Sequence, residues 1–139
     1  MAVRVKLRVK SRSSNRSVEL VVLVNGGAES AKPCIVVDEA TARELELWPS
    51  SKWRTLEVEE ASSISEAYII DNAVELELLG EHGETLSRIT ADLVIQKGLF
   101  EPLITDVTID ELGIVVLSFS KGLWRHVKDP QTVTRRSAV

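Results

Sequence analysis

The stretch Leu23-Val24-Asn25-Gly26-Gly27-Ala28 ends an apolar run with an amide and two glycines. Residues 18–24 have the length and the apolar content of a β-strand, and Asn25 with its two glycines stops that strand. Asn and Gly both tolerate positive φ, so the break taken alone indicates a turn. The elements on either side of it decide whether the turn has a further role.

The segment before the break is a predicted β-hairpin. Residues 3–10 alternate valine or leucine with arginine or lysine, the period-two pattern of a strand with one dry face and one cationic face. Residues 11–17 are rich in serine and arginine and form the predicted turn into the apolar run. The cationic face consists of Arg4, Lys6, Arg8 and Lys10, with Arg12 and Arg16 beyond it.

The chain after the break predicts a third strand and a helix. Residues 33–37 are mostly apolar, and Asp38 is a suitable N-cap for a helix over residues 39–47 because its carboxylate can accept free backbone N–H groups. Pro49 ends that helix.

A run of hairpins follows the helix. Turns are predicted at Asp71-Asn72 and over residues 80–83, where glycines and polar residues interrupt the pattern. The strands predicted between these turns cover residues 55–59, 67–70, 74–79 and 88–95.

The C-terminal part predicts a short helix over residues 107–112. Thr108 and Glu111 have the spacing of a capping box, and Gly113 is a suitable C-terminal stop. Residues 114–119 are strand-like, and an aromatic-bearing segment follows at 121–125. We expect one domain over residues 1–128 and a C-terminal tail over 129–139, since 139 residues suffice for one core.

This order of elements resembles the retropepsin-like aspartic peptidases. In that family an apolar strand runs into Asp-Thr/Ser-Gly-Ala, and a second signature of two apolar residues and a glycine precedes a short helix. The matching residues here are Asn25, Gly26, Gly27 and Ala28 for the first signature, and Leu103, Ile104 and Thr105 for the second. The resemblance spans residues 15–125. It implies a mostly β fold, the acid-protease barrel with two short helices, assembled as a homodimer.

The chain also resembles a small, mostly archaeal group of retropepsin-like proteins with Asn-Thr-Gly in place of Asp-Thr-Gly. The matching residues lie over 112–114 and 121–125, which read Leu-Gly-Ile and Lys-Gly-Leu-Trp-Arg. Asparagine, glutamine, methionine and cysteine together number only seven, which favours selection for heat resistance.

Three departures from the peptidase signatures argue against catalysis. A retropepsin dimer uses one carboxylate from each subunit to activate a water, and Asn25 supplies an amide that neither takes up nor releases a proton near neutral pH. Gly26 replaces a hydroxyl residue, and Thr105 replaces the glycine of the second signature. We therefore expect a pseudopeptidase that binds a peptide or protein. An active aspartic endopeptidase is an open alternative, and deamidation of Asn25 is one route to its missing carboxylate.

Other residue types with chemical potential have plainer interpretations. Asp106 and Asp110 lie one helical turn apart and are interpreted as solvated charges at a helix N-terminus. His82 and His126 stand in no metal-ligand spacing and are interpreted as surface or loop residues. Cys34 is interpreted as a buried small hydrophobe. We expect no metal and no cofactor, and no phosphate-binding motif is present.

The three tryptophans, Trp48, Trp53 and Trp124, are interpreted as core or dimer-interface packing, with Trp124 as the first candidate for the interface. A groove lined by them is the alternative.

Two further binding functions stay open. The cationic face could bind RNA or DNA phosphates, although a charged edge strand that prevents aggregation explains the same pattern. The hairpin region could instead clamp an extended segment of a partner by strand addition.

Composition bounds the class of protein. The net charge is −4, the single cysteine excludes an internal disulfide framework, and no apolar stretch approaches a signal peptide or a membrane span. We expect a cytoplasmic protein.

Overall fold

A computed structural model describes residues 2–59 and 64–139. Within them the chain forms ten strands and two helices, which confirms the predicted mostly β class. The elements are β1 (Arg4–Ser11), β2 (Ser17–Val24), β3 (Cys34–Val37), α1 (Glu39–Glu44), β4 (Arg54–Glu59), β5 (Ile64–Leu79), β6 (Thr85–Gln96), β7 (Leu103–Ile104), α2 (Asp106–Leu112), β8 (Ile114–Ser118), β9 (Leu123–His126) and β10 (Arg135–Arg136). No described helix has the length and hydropathy needed to cross a membrane.

Six strands of the larger sheet close into a ring. The strand order is β1-β2-β7-β3-β6-β5-β4, and β5 also pairs with β1, so the sheet meets itself. The 16-residue β5 makes this possible, because its residues 64–69 pair with β4 and its residues 74–79 pair with β1. Strand β4 with residues 64–69 of β5 extends from the ring as a hairpin, hereafter the β4–β5 hairpin.

The alternation in β1 sets the inside of the ring. Val5, Leu7 and Val9 are at most 1% exposed and belong to the main core, while the intervening basic residues point outward. The interpretation of β1 as an edge strand is wrong, because β1 is hydrogen-bonded to β2 on one side and to β5 on the other. The charges of β1 therefore do not protect an exposed sheet edge.

Strand β3 is buried on both faces. Ile35 and Val37 belong to the core inside the ring. Cys34 and Val36 belong to a second apolar cluster outside it, together with residues from β5 and β6. A strand covered on both sides reads as a continuous apolar run, which is why its sequence shows no alternation.

The predicted turn at Asp71-Asn72 is wrong, because β5 continues through these residues. The pairing register with β6 shifts between Ile70 and Val74, and Asn72 has a φ of 49°. The N–H of Asn72 donates to the buried Asp92 carboxylate at 2.7 Å. The turn-like composition thus marks a β-bulge. The predicted turn over residues 80–83 is confirmed between β5 and β6.

Helix α1 begins as predicted, since the N–H of Thr41 donates to Asp38 Oδ1 at 2.8 Å. It ends at Glu44, earlier than predicted, because Leu45 caps it and Glu46 takes a φ of 59°.

Helix α2 ends as predicted at Gly113, whose φ is 78°. The predicted capping box is wrong, because the N-cap is Thr105 and Thr108 lies inside the helix. Thr108 is fully buried, and its hydroxyl is hydrogen-bonded to the backbone of Cys34 instead.

The smaller sheet, in the order β10-β9-β8, holds the C-terminal residues. Strand β10 pairs with β9, and the N–H of Ala138 donates to the carbonyl of Arg4 at 2.8 Å. Residues 135–138 therefore lie against both β9 and the start of β1.

Candidate functional site

The loop over residues 25–30, hereafter the Asn25 loop, begins where β2 ends beside β7. These two strands run parallel, with Leu23 opposite Leu103 and Val24 opposite Ile104. The N–H of Asn25 donates to the carbonyl of Ile104 at 3.2 Å. The structure thus brings together the two segments that the sequence analysis singled out.

Asn25 forms a turn through its side chain and its backbone. Its Oδ1 accepts the N–H of Gly27 at 3.2 Å, and its carbonyl accepts the N–H of Ala28 at 3.1 Å. Asn25 is half-buried, while Gly26 and Gly27 are exposed. The tip of the loop therefore carries a neutral amide that is used as a hydrogen-bond acceptor.

Thr105 links the Asn25 loop to α2. Its hydroxyl lies 2.6 Å from the hydroxyl of Ser30 and 2.9 Å from that of Thr108. Thr108 in turn accepts the N–H of Cys34 at 2.9 Å and donates to its carbonyl at 3.0 Å. The residue that departs from the second signature is therefore the centre of a buried hydroxyl network. Sequence reasoning missed Ser30 and Thr108, since no local pattern marks contacts between residues this far apart.

Asp106, the carboxylate closest in the chain to this network, already accepts two hydrogen bonds. Asp106 Oδ1 accepts the N–H of Val107 at 2.7 Å and that of Ser30 at 3.2 Å. Asp110 is exposed. The interpretation as helix N-terminal charge is confirmed for Asp106, which lies in the first turn of α2 and also fixes the Asn25 loop to that helix. It is wrong for Asp110, because Asp110 lies in the last turn of α2.

Cys34 is 6% exposed, which confirms its interpretation as a buried residue. Burial raises the pKa of its thiol, so the sulfur stays protonated at neutral pH. A protonated thiol is a poor nucleophile.

The two histidines differ. His82 lies in the exposed turn between β5 and β6, as predicted. The surface interpretation of His126 is wrong, because it is 3% exposed in β9. Its Nδ1 accepts the N–H of Lys128 at 3.2 Å, so Nε2 carries the hydrogen and donates to the carbonyl of Leu112 at 3.1 Å. His126 thus ties β9 to the end of α2. The residues that the structure describes contain no cluster of three or more His, Cys, Asp or Glu side chains suited to a metal.

A cavity of about 370 Å³, hereafter the site cavity, opens between the Asn25 loop and the β4–β5 hairpin. Its apolar lining comes from Ala31, Cys34, Ile69 and Val94, and its charged lining from Glu29, Lys32, Arg54 and Asp92. Lys32 Nζ lies 3.2 Å from Asp92 and Arg54 lies 3.0 Å from Asp71. Sequence reasoning missed this cavity, because its walls come from four separate parts of the chain.

An aromatic cluster lies at the base of the β4–β5 hairpin. Tyr68 contacts Trp48 and Trp53 at centroid distances of 4.8 and 4.9 Å. Trp124 is elsewhere, 4% exposed, with its Nε1–H donating to the carbonyl of Arg136 and Arg135 above its ring. For Trp124 the core interpretation is confirmed, and its ring is unavailable to a partner.

Glutamates neutralise most of the cationic face. Arg4 lies 2.8 Å from Glu101, and Lys10 lies 2.8 Å from Glu77, which Arg8 approaches at 3.8 Å. Glu77 is 1% exposed. Hydrogen bonds from Lys10, Arg88 and Thr85 hold the pKa of Glu77 at about 2, against the burial that would raise it.

No protein-family model matches the chain, and no curated protein matches it.

Proposed function

We propose that the protein is a retropepsin-like homodimer that binds an extended peptide segment and does not cleave it. The observation that carries the proposal is the site cavity, which opens between the Asn25 loop and the β4–β5 hairpin. A groove between a loop and a hairpin offers an extended chain two walls, one for side chains and one for backbone contacts.

The two walls differ in what they offer a peptide. The site cavity has apolar residues beside charges of both signs, so one apolar side chain fits inside while the charges orient polar groups next to it. Within the described residues, β4 pairs with β5 alone, so its other edge is free to receive main-chain hydrogen bonds. We expect extended peptides with a medium-sized apolar residue to bind best.

The absence of cleavage follows from the chemistry of Asn25. An amide orients a water through hydrogen bonds, but it does not act as a general base near neutral pH. Asp106, the nearest carboxylate in the chain to the second signature, is used structurally, since its Oδ1 accepts the N–H groups of Ser30 and Val107.

A homodimer is supported by the free edge of β8. Within the described residues, β8 pairs with β9 alone, and its five residues carry no charge. Leu117 and Phe119 beside that edge are 44% and 52% exposed. Native edges are usually protected by charges, so an uncharged and apolar edge favours pairing with another strand.

We infer that this strand is a second copy of β8, because an isologous contact uses the same uncharged, apolar edge on both partners. Antiparallel pairing about a two-fold axis at Val116 places Leu117 opposite Val115 of the second copy. The same surface thus supplies both halves of the contact.

Peptide binding is tested by filling the site cavity. Ala31→Trp places a large side chain in the lining, and Ala40→Trp adds the same side chain on the exposed side of α1 as a control. We expect Ala31→Trp to weaken binding of labelled apolar peptides at least about tenfold in fluorescence anisotropy. The indole would occupy the space that the apolar side chain of the peptide fills in the site cavity. Equal binding by both variants would rule out this cavity as the site.

Cleavage is tested with the same peptides by mass spectrometry. We expect none from the freshly purified protein, and a gain of cleavage in Asn25→Asp would support descent from a peptidase. Cleavage by the fresh protein at a rate unchanged in Asn25→Ala would show that another acid acts, and the proposed assignment of the loop would fail.

Nucleic-acid binding by the cationic face stays a prediction, and no observation favours it. Three of its four cations contact glutamates, and Lys6 alone among them has no ion pair within the described residues. A gel shift that disappears with added salt would revive it.

A further inference from the structure

The chemistry around Asn25 has a second aspect, which concerns the covalent stability of its amide. The side-chain carbonyl of Asn25 accepts the N–H of Gly27 at 3.2 Å, and this hydrogen bond polarises the carbonyl carbon Cγ. In the described part of the chain, neither the N–H of Gly26 nor the side-chain nitrogen of Asn25 takes part in a hydrogen bond. Gly26 is also exposed, and no atom outside residues 25–27 lies within 4 Å of the place where its Cβ would be.

We propose that Asn25 is a self-modifying site, which the folded Asn25 loop converts to aspartate by deamidation. The backbone nitrogen of Gly26 loses its proton to water and attacks Cγ of Asn25, forming a five-membered succinimide. The Cγ–Nδ2 bond breaks, and the nitrogen leaves as ammonia with a proton from water. A second water then opens the ring, giving aspartate or isoaspartate, with no oxidant or reductant required.

The contacts in the loop favour the nucleophile, the oxyanion and the leaving nitrogen of this reaction. The nucleophile, Gly26 N, is exposed and has no hydrogen bond to break. The N–H of Gly27 lies where the oxyanion of the tetrahedral intermediate forms, so it stabilises that charge. Within the described residues the leaving nitrogen, Nδ2 of Asn25, likewise has no hydrogen bond to break.

Aspartate fits the loop that produces it. Oδ1 of the product accepts the N–H of Gly27 as Oδ1 of Asn25 does, and the hydrogen bond becomes charge-assisted. The conversion adds one negative charge to each chain. In the proposed homodimer it would set a carboxylate at each of two symmetry-related loops, and this last consequence rests on the proposed function.

The chain contains its own controls. Asn15 precedes Arg16 and Asn72 precedes Ala73, so in both cases a side chain shields the nitrogen that would attack. Gly26→Ala is the matched variant: Gly26 does not have a positive φ, and an added Cβ meets no atom outside residues 25–27 within 4 Å, so the loop can keep its fold.

The experiment follows the purified full chain over time at mildly alkaline pH by intact mass and peptide mapping. We expect a gain of one mass unit that maps to Asn25, and a rate on the order of tenfold lower in Gly26→Ala, whose methyl group restricts the backbone rotation that attack requires. Asn15 and Asn72 should keep their mass over the same period.

Three outcomes would overturn the proposal: no mass gain at Asn25, an equal gain at Asn15 or Asn72, or the same rate in Gly26→Ala. The readout needs neither a peptide ligand nor a dimer, so it succeeds or fails independently of the proposed function. Peptide cleavage by the converted chain, compared with Asn25→Asp, then tests whether the new carboxylate is active.

Discussion

Glu77 concentrates more charge interactions than any other described side chain. Lys10 lies 2.8 Å away, and Arg88 donates to it at 3.1 Å, although the carboxylate is almost fully buried. Burying an ion is costly, so removing its charge leaves the surrounding cations without compensation.

We expect Glu77→Gln to lower the free energy of unfolding by about 3 kcal/mol, the usual cost of breaking a buried ion pair. Urea denaturation measures this. The control is Glu19→Gln, which removes an exposed partner of Arg8 at 3.7 Å and should change stability by less than about 1 kcal/mol. Equal effects of the two variants would show that burial does not strengthen the Glu77 contacts.

Glu77 and Asp129 together predict acid sensitivity. Hydrogen bonds hold both pKa values at about 2, below ordinary values of 4.5 and 3.8, chiefly from Lys10 for Glu77 and from Arg135 for Asp129. A carboxyl whose pKa is lowered on folding stabilises the protein above its unfolded pKa, and that stability disappears as the pH falls towards the folded pKa.

We therefore expect the melting temperature to hold near neutral pH and to fall between about pH 5 and pH 2. Thermal denaturation across this range measures the fall. In Glu77→Gln the fall should be shallower, because one of the two carboxyls no longer titrates. An identical pH profile in that variant would show that Glu77 does not contribute to the loss of stability in acid.

At the level of elements, the sequence predicted what depends on local patterns. The alternation of β1, the Asp38 cap of α1 and the Gly113 stop of α2 all lie where their patterns indicated. Two of the misassigned residues are used by distant partners. Asn72 lies in a bulge, where Asp92 accepts its N–H, and Thr108 lies inside α2, where its hydroxyl accepts the N–H of Cys34.

The same division applies to the candidate site. Both signatures were visible because each is a strand followed by a break in one short segment. Ser30, Thr108 and the site cavity were not, because they arise where α2, β3 and the β4–β5 hairpin meet. Such contacts are set by tertiary packing and leave no periodic trace in the sequence.

The hydroxyl network gives a prediction for α2. Thr108→Val keeps the volume but leaves the N–H and the carbonyl of Cys34 without their partner, so we expect a loss of about 1–3 kcal/mol in urea denaturation. Thr134→Val, at an exposed position, is the control and should be close to neutral. A neutral Thr108→Val would mean that the hydroxyl does not hold α2 to β3.

At the scale of the whole molecule, the proposed two-fold contact predicts a monomerising substitution. Leu117→Lys places a charge opposite Val115 of the second copy, so we expect light scattering to show a monomer where the unmodified chain is a dimer. Phe100→Lys replaces a 96% exposed apolar residue outside β8 and should leave the mass unchanged. A monomeric unmodified chain, or a dimeric Leu117→Lys, would exclude this interface.

The closure of the ring between β1 and β5 bears on how the chain is made. Lys6 pairs with Leu79, and the start of β1 is also bonded to Ser137 and Ala138. During synthesis β1 therefore emerges from the ribosome long before β5, its second neighbour, and its contacts with residues 137 and 138 form later still. Contacts of such sequence separation slow folding into the millisecond-to-second range. A nascent chain stalled before residue 74 would expose the unpaired side of β1 to chaperones, and the emergence of residues 74–79 of β5 is the event that covers it.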